Sequence, residues 1–223
     1  MIATPFPSLS RFDDIVDLRF LTRKDDIGSD AEIARVTGAS RVVSLRQTHG
    51  SRAVVLRQPS SRIEEADAVF TDVPDLTLTI RFADCQNAVI VVPGKRVIGL
   101  VHAGWRGVQS RIMTSAYALL ASEWGIRPAE TLVGLGPSLC TRCADFTDPE
   151  NEVPELRNFF SGKSIDLRGA LDAEMDEIGI PHKSRERLPD CTRCHPERYF
   201  TYRGGDRELV RSGKVNCLAA SLR

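Results

Sequence analysis

Two apolar runs, Ala88 to Val92 and Val97 to Val101, are separated by Pro93, Gly94, Lys95 and Arg96. Short apolar runs on either side of a Pro-Gly turn signal predict adjacent, largely buried β-strands. They are also the longest apolar runs in the chain, and a helical membrane span needs about 20 apolar residues. The pair therefore puts a sheet at the centre of the fold and argues against a membrane partner.

The rest of the chain adds to that sheet. Arg41 to Leu45, Ala53 to Leu56, Thr131 to Leu135 and Val215 to Leu222 are further strand candidates. Leu76 to Phe82 alternates, with Leu76, Leu78, Ile80 and Phe82 on one face. Val108 to Trp124 has helical spacing and Gly125 suits its C-terminal cap. Leu167 to Ile178 predicts a second helix, with Asp166 as N-cap and Gly179 as terminator. Asp145 to Ser161, rich in acids and with two prolines, is expected to be a surface excursion. These elements predict an α/β (α+β) fold, a mixed β-sheet core with flanking helices. At 223 residues the chain fits one domain, 1–223.

Charge and cysteine use bound the partners. Thirty basic and thirty acidic residues cancel, so nothing in the net charge draws the chain to nucleic acid or an anionic membrane. The N-terminal stretch, interrupted by prolines and aspartates, lacks the apolar core of a secretory signal, and a cytoplasmic location is expected. Six cysteines in that compartment are expected as thiols or metal ligands rather than disulfides.

Three chemistry-bearing residues fall at strand ends, where loops gather into sites. They are His49, Cys85 after Asp84, and His102. Two imidazoles and a thiolate suit zinc, and three protein ligands leave a fourth position open, as in catalytic zinc sites. The same residue types also serve packing and structural hydrogen bonding. After His102, Gly104-Trp105-Arg106-Gly107 combines a tight turn, a ring face and a planar guanidinium suited to phosphate or carboxylate.

At this point the sequence resembles the YfiH family, also called the laccase-domain or multicopper polyphenol oxidoreductase family. The resemblance is carried by Gln47-Thr48-His49-Gly50, Ala66 to Asp72, Ala83-Asp84-Cys85, Val101 to Gly107, Gly136 to Leu139, Asp190-Cys191-Thr192 and Tyr199 to Arg203. It implies a metal, zinc, on His49, Cys85 and His102, with copper as the alternative. It also implies phosphorolysis of purine nucleosides, methylthioadenosine among them, and adenosine deamination. The implied partners are a purine nucleoside and phosphate. Asp84, Cys85 and Arg106 become the catalytic candidates, and Arg46, Gln47, Gly104 and Trp105 the substrate-binding ones, with Phe82 as a second ring. Asp84 has two candidate roles, shuttling a proton or orienting a histidine. A copper polyphenol oxidoreductase and a Cys–His hydrolase using Cys85 and His102 are the alternative activities. Four histidines cannot supply a mononuclear copper plus a three-copper cluster.

The chain departs from the family in places. Asn87 replaces the usual proline after the Cys85 motif, Lys24 to Gly28 replaces a glycine-rich loop, and Gly213-Lys214 replaces a closing Gly-Arg. Cys-Thr-Arg-Cys occurs at 140–143 and again at 191–194. Two such pairs can form a four-cysteine zinc site, with His195 as a further candidate ligand. The long spacer between them is unlike a compact zinc ribbon, and separate thiols are the expectation.

Overall fold

The computed structural model describes residues 1–3, 5–58 and 64–223. Two large mixed sheets form its centre. The first has five strands in the order β1 (Ile2–Ala3), β2 (Val16–Leu21), β13 (Asn216–Leu222), β6 (Thr77–Phe82) and β3 (Val42–Ser44). The second has six, in the order β12 (Arg185–Arg187), β9 (Leu132–Leu135), β7 (Gln86–Val92), β8 (Val97–Ala103), β5 (Ala68–Thr71) and β4 (Ala53–Val55). A small hairpin, β10 (Phe160–Ser161) with β11 (Ser164–Ile165), lies apart from both.

The apolar runs are the hairpin β7–β8, paired antiparallel from Gln86 opposite Ala103 to Val92 opposite Val97. Every residue of both strands is buried, because the six-stranded sheet is covered on both faces. Alternation sorts the side chains between two cores. Ala88, Ile90 and Val101 pack with the helix residues Ile112, Ala116, Leu120, Leu171 and Met175. Val89, Val91, Ile98 and Leu100 face Leu18, Phe20, Leu78, Ile80 and Leu218 of the five-stranded sheet. The expected mixed sheet is thus two sheets face to face, with helices on both outer sides: Ile112, Ala116 and Leu171 pack against the six-stranded sheet, and Ile33 and Val36 pack against Leu21 and Cys217 of the five-stranded one. At Gly99, paired with Phe70 on β5, a Cβ would lie 2.0 Å from the Phe70 ring, so the ring rests directly on backbone.

Several expectations change. The helix expected over Val108 to Trp124 is two: α2 (Trp105–Gln109) and α3 (Ile112–Trp124), after α1 (Asp30–Thr37). Arg111 breaks them, with φ of 59° in the left-handed region. Gly125 caps α3 with φ of 60°. The Asp145 to Ser161 segment is not merely superficial. It carries α4 (Pro149–Glu152) and buries Phe146, Val153 and Leu156 in the helix-side core. The helix expected over Leu167 to Ile178 is α5 (Leu167–Ile178), and Asp166 accepts the Gly169 N–H at 3.0 Å as its cap. A last short helix, α6 (Arg207–Arg211), precedes β13. Among the described residues, no helix is long and apolar enough to cross a membrane.

Candidate metal centre and cavity

Cys85 lies on the turn between β6 and β7, where the chain crosses from one sheet to the other. His102 is the next-to-last residue of β8, and His49 sits on the β3–β4 connection. These three distant positions converge. One ligand atom from each of His49, Cys85 and His102 lies within 4.8 Å of the others. The imidazole rings meet edge to face, their centroids 4.8 Å apart.

Asp67, just before β5, holds this arrangement together. Its fully buried carboxylate accepts the Thr48, His49 and Gly50 backbone N–H groups at 3.1, 2.9 and 2.8 Å, and the Thr48 hydroxyl at 3.0 Å. This nest of amides fixes the loop in which His49 takes a left-handed φ of 62°. The same carboxylate lies 2.8 Å from His102 Nδ1. With Nδ1–H directed at Asp67, the lone pair of Nε2 is available to a metal. Gly104 lies against the cluster too. A Cβ there would come within 2.9 Å of His49 Cδ2, 3.4 Å of Cys85 Sγ and 3.5 Å of His102 Cε1. The donor set, the occupied Nδ1 and the hydrogen-only wall at Gly104 all fit a three-ligand zinc site.

Electrostatics reinforce the geometry. Burial pushes the Cys85 thiol up, but the His102 charge and hydrogen bonds from both imidazoles outweigh it and bring it to about 6. Burial pushes His102 down, whereas Cys85 and Asp67 raise it to about 9. Burial also opposes ionisation of Asp67, but His102 and the Gly50 amide hold its carboxyl below the usual range.

The cluster opens into a cavity of 680 Å³, within the size range of small-ligand sites. One wall is a row of stacked groups. Arg106 lies 4.2 Å from the Trp105 ring centre, Trp105 meets Phe146, outside the lining, edge-on, and the lining residue Arg203 lies 5.2 Å from the Phe146 ring centre. Arg81 also lines the cavity, with Nη2 2.7 Å from Asp30. Phe82 contributes a ring to the lining but is nearly buried and packs edge-on against Phe20.

Three of the expected residues make other contacts in the structure. Asp84 does not orient a histidine. Its carboxylate accepts the Thr192 and Thr201 hydroxyls at 2.7 and 2.6 Å and the Arg203 N–H at 2.7 Å, and Asp67 holds His102 instead. With three donors on it, Asp84 is a fastening point for the 190–203 segment. Gln47 reaches the cavity, but its amide is used on Arg81. Its Nε2 donates to Arg81 O at 2.7 Å, and Arg81 N–H donates to Oε1 at 2.8 Å. Arg46 is exposed and pairs with Glu65 at 2.8 Å, away from the cavity lining.

Asp67, Arg81 and Arg203 went unassigned by sequence reasoning. The available signal was an acid immediately before the apolar run Ala68 to Phe70, an arginine within the alternating run Leu76 to Phe82, and an arginine ending the matching segment Tyr199 to Arg203. The remaining histidines lie elsewhere, His182 beside Asp176 and His195 beside Glu197. Asn87 is a buried β7 residue whose Nδ2 donates to Pro137 O at 3.0 Å. Lys214 binds the Asp26 backbone and carboxylate at the rim of the 24–28 loop.

Comparison with known proteins follows this geometry. A family model described as multi-copper polyphenol oxidoreductase laccase matches residues 28–219. A mouse protein named purine nucleoside phosphorylase LACC1 is 27% identical over 177 residues, covering 74% of this chain and 40% of the relative. A protein from an unknown prokaryotic organism, named adenosine deaminase RL5, is 27% identical over 182 residues, covering 73% of this chain and 69% of the relative. The chain thus spans well under half the mouse relative's length. The structure of Bacillus licheniformis YfiH aligns with a TM-score of 0.80 at 21% identity, covering 93% of each chain. That of YlmD from Geobacillus stearothermophilus gives 0.76 at 21% identity, covering 96% of this chain and 93% of the other.

Proposed function

This chain belongs to the multi-copper polyphenol oxidoreductase laccase family, and we propose that it is a zinc-dependent purine nucleoside phosphorylase. The observation that carries this is the convergence of His49, Cys85 and His102 at the floor of a cavity that also presents arginines and aromatic rings. The names of the mouse relative and the prokaryotic relative support purine nucleosides as the substrate class.

His49, Cys85 and His102 hold the metal. Zinc with three protein ligands supplies a Lewis acid and an open coordination position. Asp67 keeps His102 in one tautomer and one orientation. In phosphorolysis, the C1′–N9 bond of the nucleoside breaks, a phosphate oxygen bonds to C1′, and the base takes a proton. Arg106 and Arg203 offer guanidinium groups to phosphate, and Arg81 adds positive charge at the rim. Trp105 presents a ring to the purine. Holding phosphate and nucleoside together supplies the proximity such a displacement needs. Among the described residues only two histidines meet at the cluster, which supports zinc over a multicopper centre.

The test is incubation with adenosine, inosine or methylthioadenosine, with and without phosphate, followed by chromatography. Phosphate-dependent release of free base with ribose 1-phosphate, or its methylthio counterpart, is the expected result. Inosine formed from adenosine without phosphate would make deamination the principal activity. No product in either case would overturn the proposal.

One observation favours a second reading. Cys85, His102 and Asp67 form a thiol–imidazole–carboxylate chain, the layout of a cysteine hydrolase. Ester hydrolysis by metal-depleted protein, abolished by iodoacetamide, would support it.

A further inference from the structure

The two Cys-Thr-Arg-Cys segments, far apart in sequence, meet in space. The Sγ atoms of Cys140, Cys143, Cys191 and Cys194 all lie within 4.8 Å of one another. We propose that these four cysteines form a second, structural zinc site, distinct from the candidate centre at Cys85. The assignment does not rest on the reaction proposed above.

Each pair lies on a tight turn. Cys143 N–H donates to Cys140 O at 2.9 Å, and His195 N–H donates to Cys191 O at 3.1 Å. The two turns are joined directly: Cys140 N–H donates to Cys191 Sγ at 3.2 Å, and Cys143 Sγ lies 3.7 Å from Cys194 Sγ. An amide donating to a sulfur suits a thiolate, since the bond relieves negative charge on a metal ligand. Leu139, Ala144 and Leu167 surround the cluster with apolar side chains.

A tetrathiolate centre carries net negative charge, and Arg168 stands beside it. Its guanidinium donates to Ser138 O and Asp190 O, each at 2.6 Å, and to Pro189 O at 3.0 Å. It thus clamps the two strands of chain that lead into Cys140 and Cys191. Four sulfur donors in a closed set match zinc in its structural role, where no position stays open. Binding displaces the thiol protons to solvent and changes no oxidation state.

The site also has a mechanical connection to the cavity. Thr192, inside the second pair, donates to Asp84 Oδ1, and Leu139 N–H, beside the first pair, donates to Asp84 O at 3.1 Å. Asp84 is the neighbour of Cys85 in the chain. The metal therefore fastens the segments that position the turn carrying Cys85.

The test is zinc stoichiometry of the full chain, purified without chelator and measured by elemental analysis and native mass spectrometry. Two zinc per chain are expected in the wild type. Cys85→Ala and Cys194→Ser should each reduce this to one, and the double variant to none. Zinc absorption spectroscopy on Cys85→Ala protein keeps the test independent of whether Cys194→Ser folds. It should show sulfur neighbours alone, at about 2.3 Å. No zinc on the Cys85→Ala protein, nitrogen neighbours in its spectrum, iron in place of zinc, or an intact mass lowered by two hydrogens through a Cys143–Cys194 disulfide would overturn it.

Discussion

His102 Nδ1 lies 2.8 Å from Asp67 Oδ1, and both side chains are buried. The same carboxylate holds the loop of His49, so one acid sets the positions of two metal-ligand candidates. Asp67→Asn keeps the shape but removes the charge and disturbs the tautomer of His102. Zinc affinity, measured by chelator competition on the Cys194→Ser background, should fall roughly 10- to 100-fold. Unchanged affinity would restrict Asp67 to a role in the fold.

Gly104 has φ of −61° and ψ of 164°, which alanine adopts without strain. Any effect of Gly104→Ala is therefore steric, and its nearest target is His49 Cδ2 at 2.9 Å from the added methyl. The variant should fold with a melting temperature near that of the wild type while binding zinc poorly at the Cys85 site. A ligand displaced by about 1 Å costs on the order of 100-fold in rate, and turnover should fall by at least that much.

Arg106 and Arg46 make a matched pair of tests. Arg106 lies over Trp105 on the cavity wall, whereas Arg46 pairs with Glu65 on the exposed surface. A charge-assisted hydrogen bond contributes about 1.5–3 kcal/mol, so Arg106→Ala should raise KM for phosphate by roughly 10- to 100-fold. Arg106→Lys should recover only part, because the planar group that stacks on the ring is gone. Arg46→Ala should leave KM and kcat unchanged, and its stability within about 1 kcal/mol of wild type.

Some of this architecture is plain in the sequence. β7 and β8 are legible because the sheet is covered on both faces and every residue of each run is buried. β2 is not, because its Val16-Asp17-Leu18-Arg19-Phe20 alternation is short and follows a stretch of aspartates. The break at Arg111 is hidden because Val108, Ile112 and Ala116 keep helical spacing across it and all enter one core. At the site, residue identity brings His49, Cys85 and His102 to notice, but the choice between Asp67 and Asp84 is tertiary. Asp84 adjoins Cys85 in sequence, yet its φ of 83° turns it toward Thr192 and Thr201. Asp67, 35 residues from His102, reaches it because β5 and β8 are neighbours in the sheet.

Two buried carboxyls should give the protein opposite responses to pH. Asp67 is held below its ordinary value of 3.8, so its contribution to stability is present above that value and lost as pH falls through its folded pKa. Glu174, on α5, is the reverse. Burial pushes its carboxyl above the ordinary 4.5, although the Thr114 N–H donates to Oε1 at 2.8 Å, and Oε2 has no partner. Its proton binds more tightly in the folded state than in the unfolded chain. The stability it contributes is therefore full below 4.5 and is lost as pH rises through the folded value. Glu174→Gln stays neutral throughout. Denaturant unfolding across an acid-to-neutral series should show the variant gaining on the wild type as pH rises, with the curves parallel below 4.5. A difference independent of pH would mean that Glu174 ionises as readily in the fold as in the unfolded chain, and that its buried, unpaired oxygen reaches water.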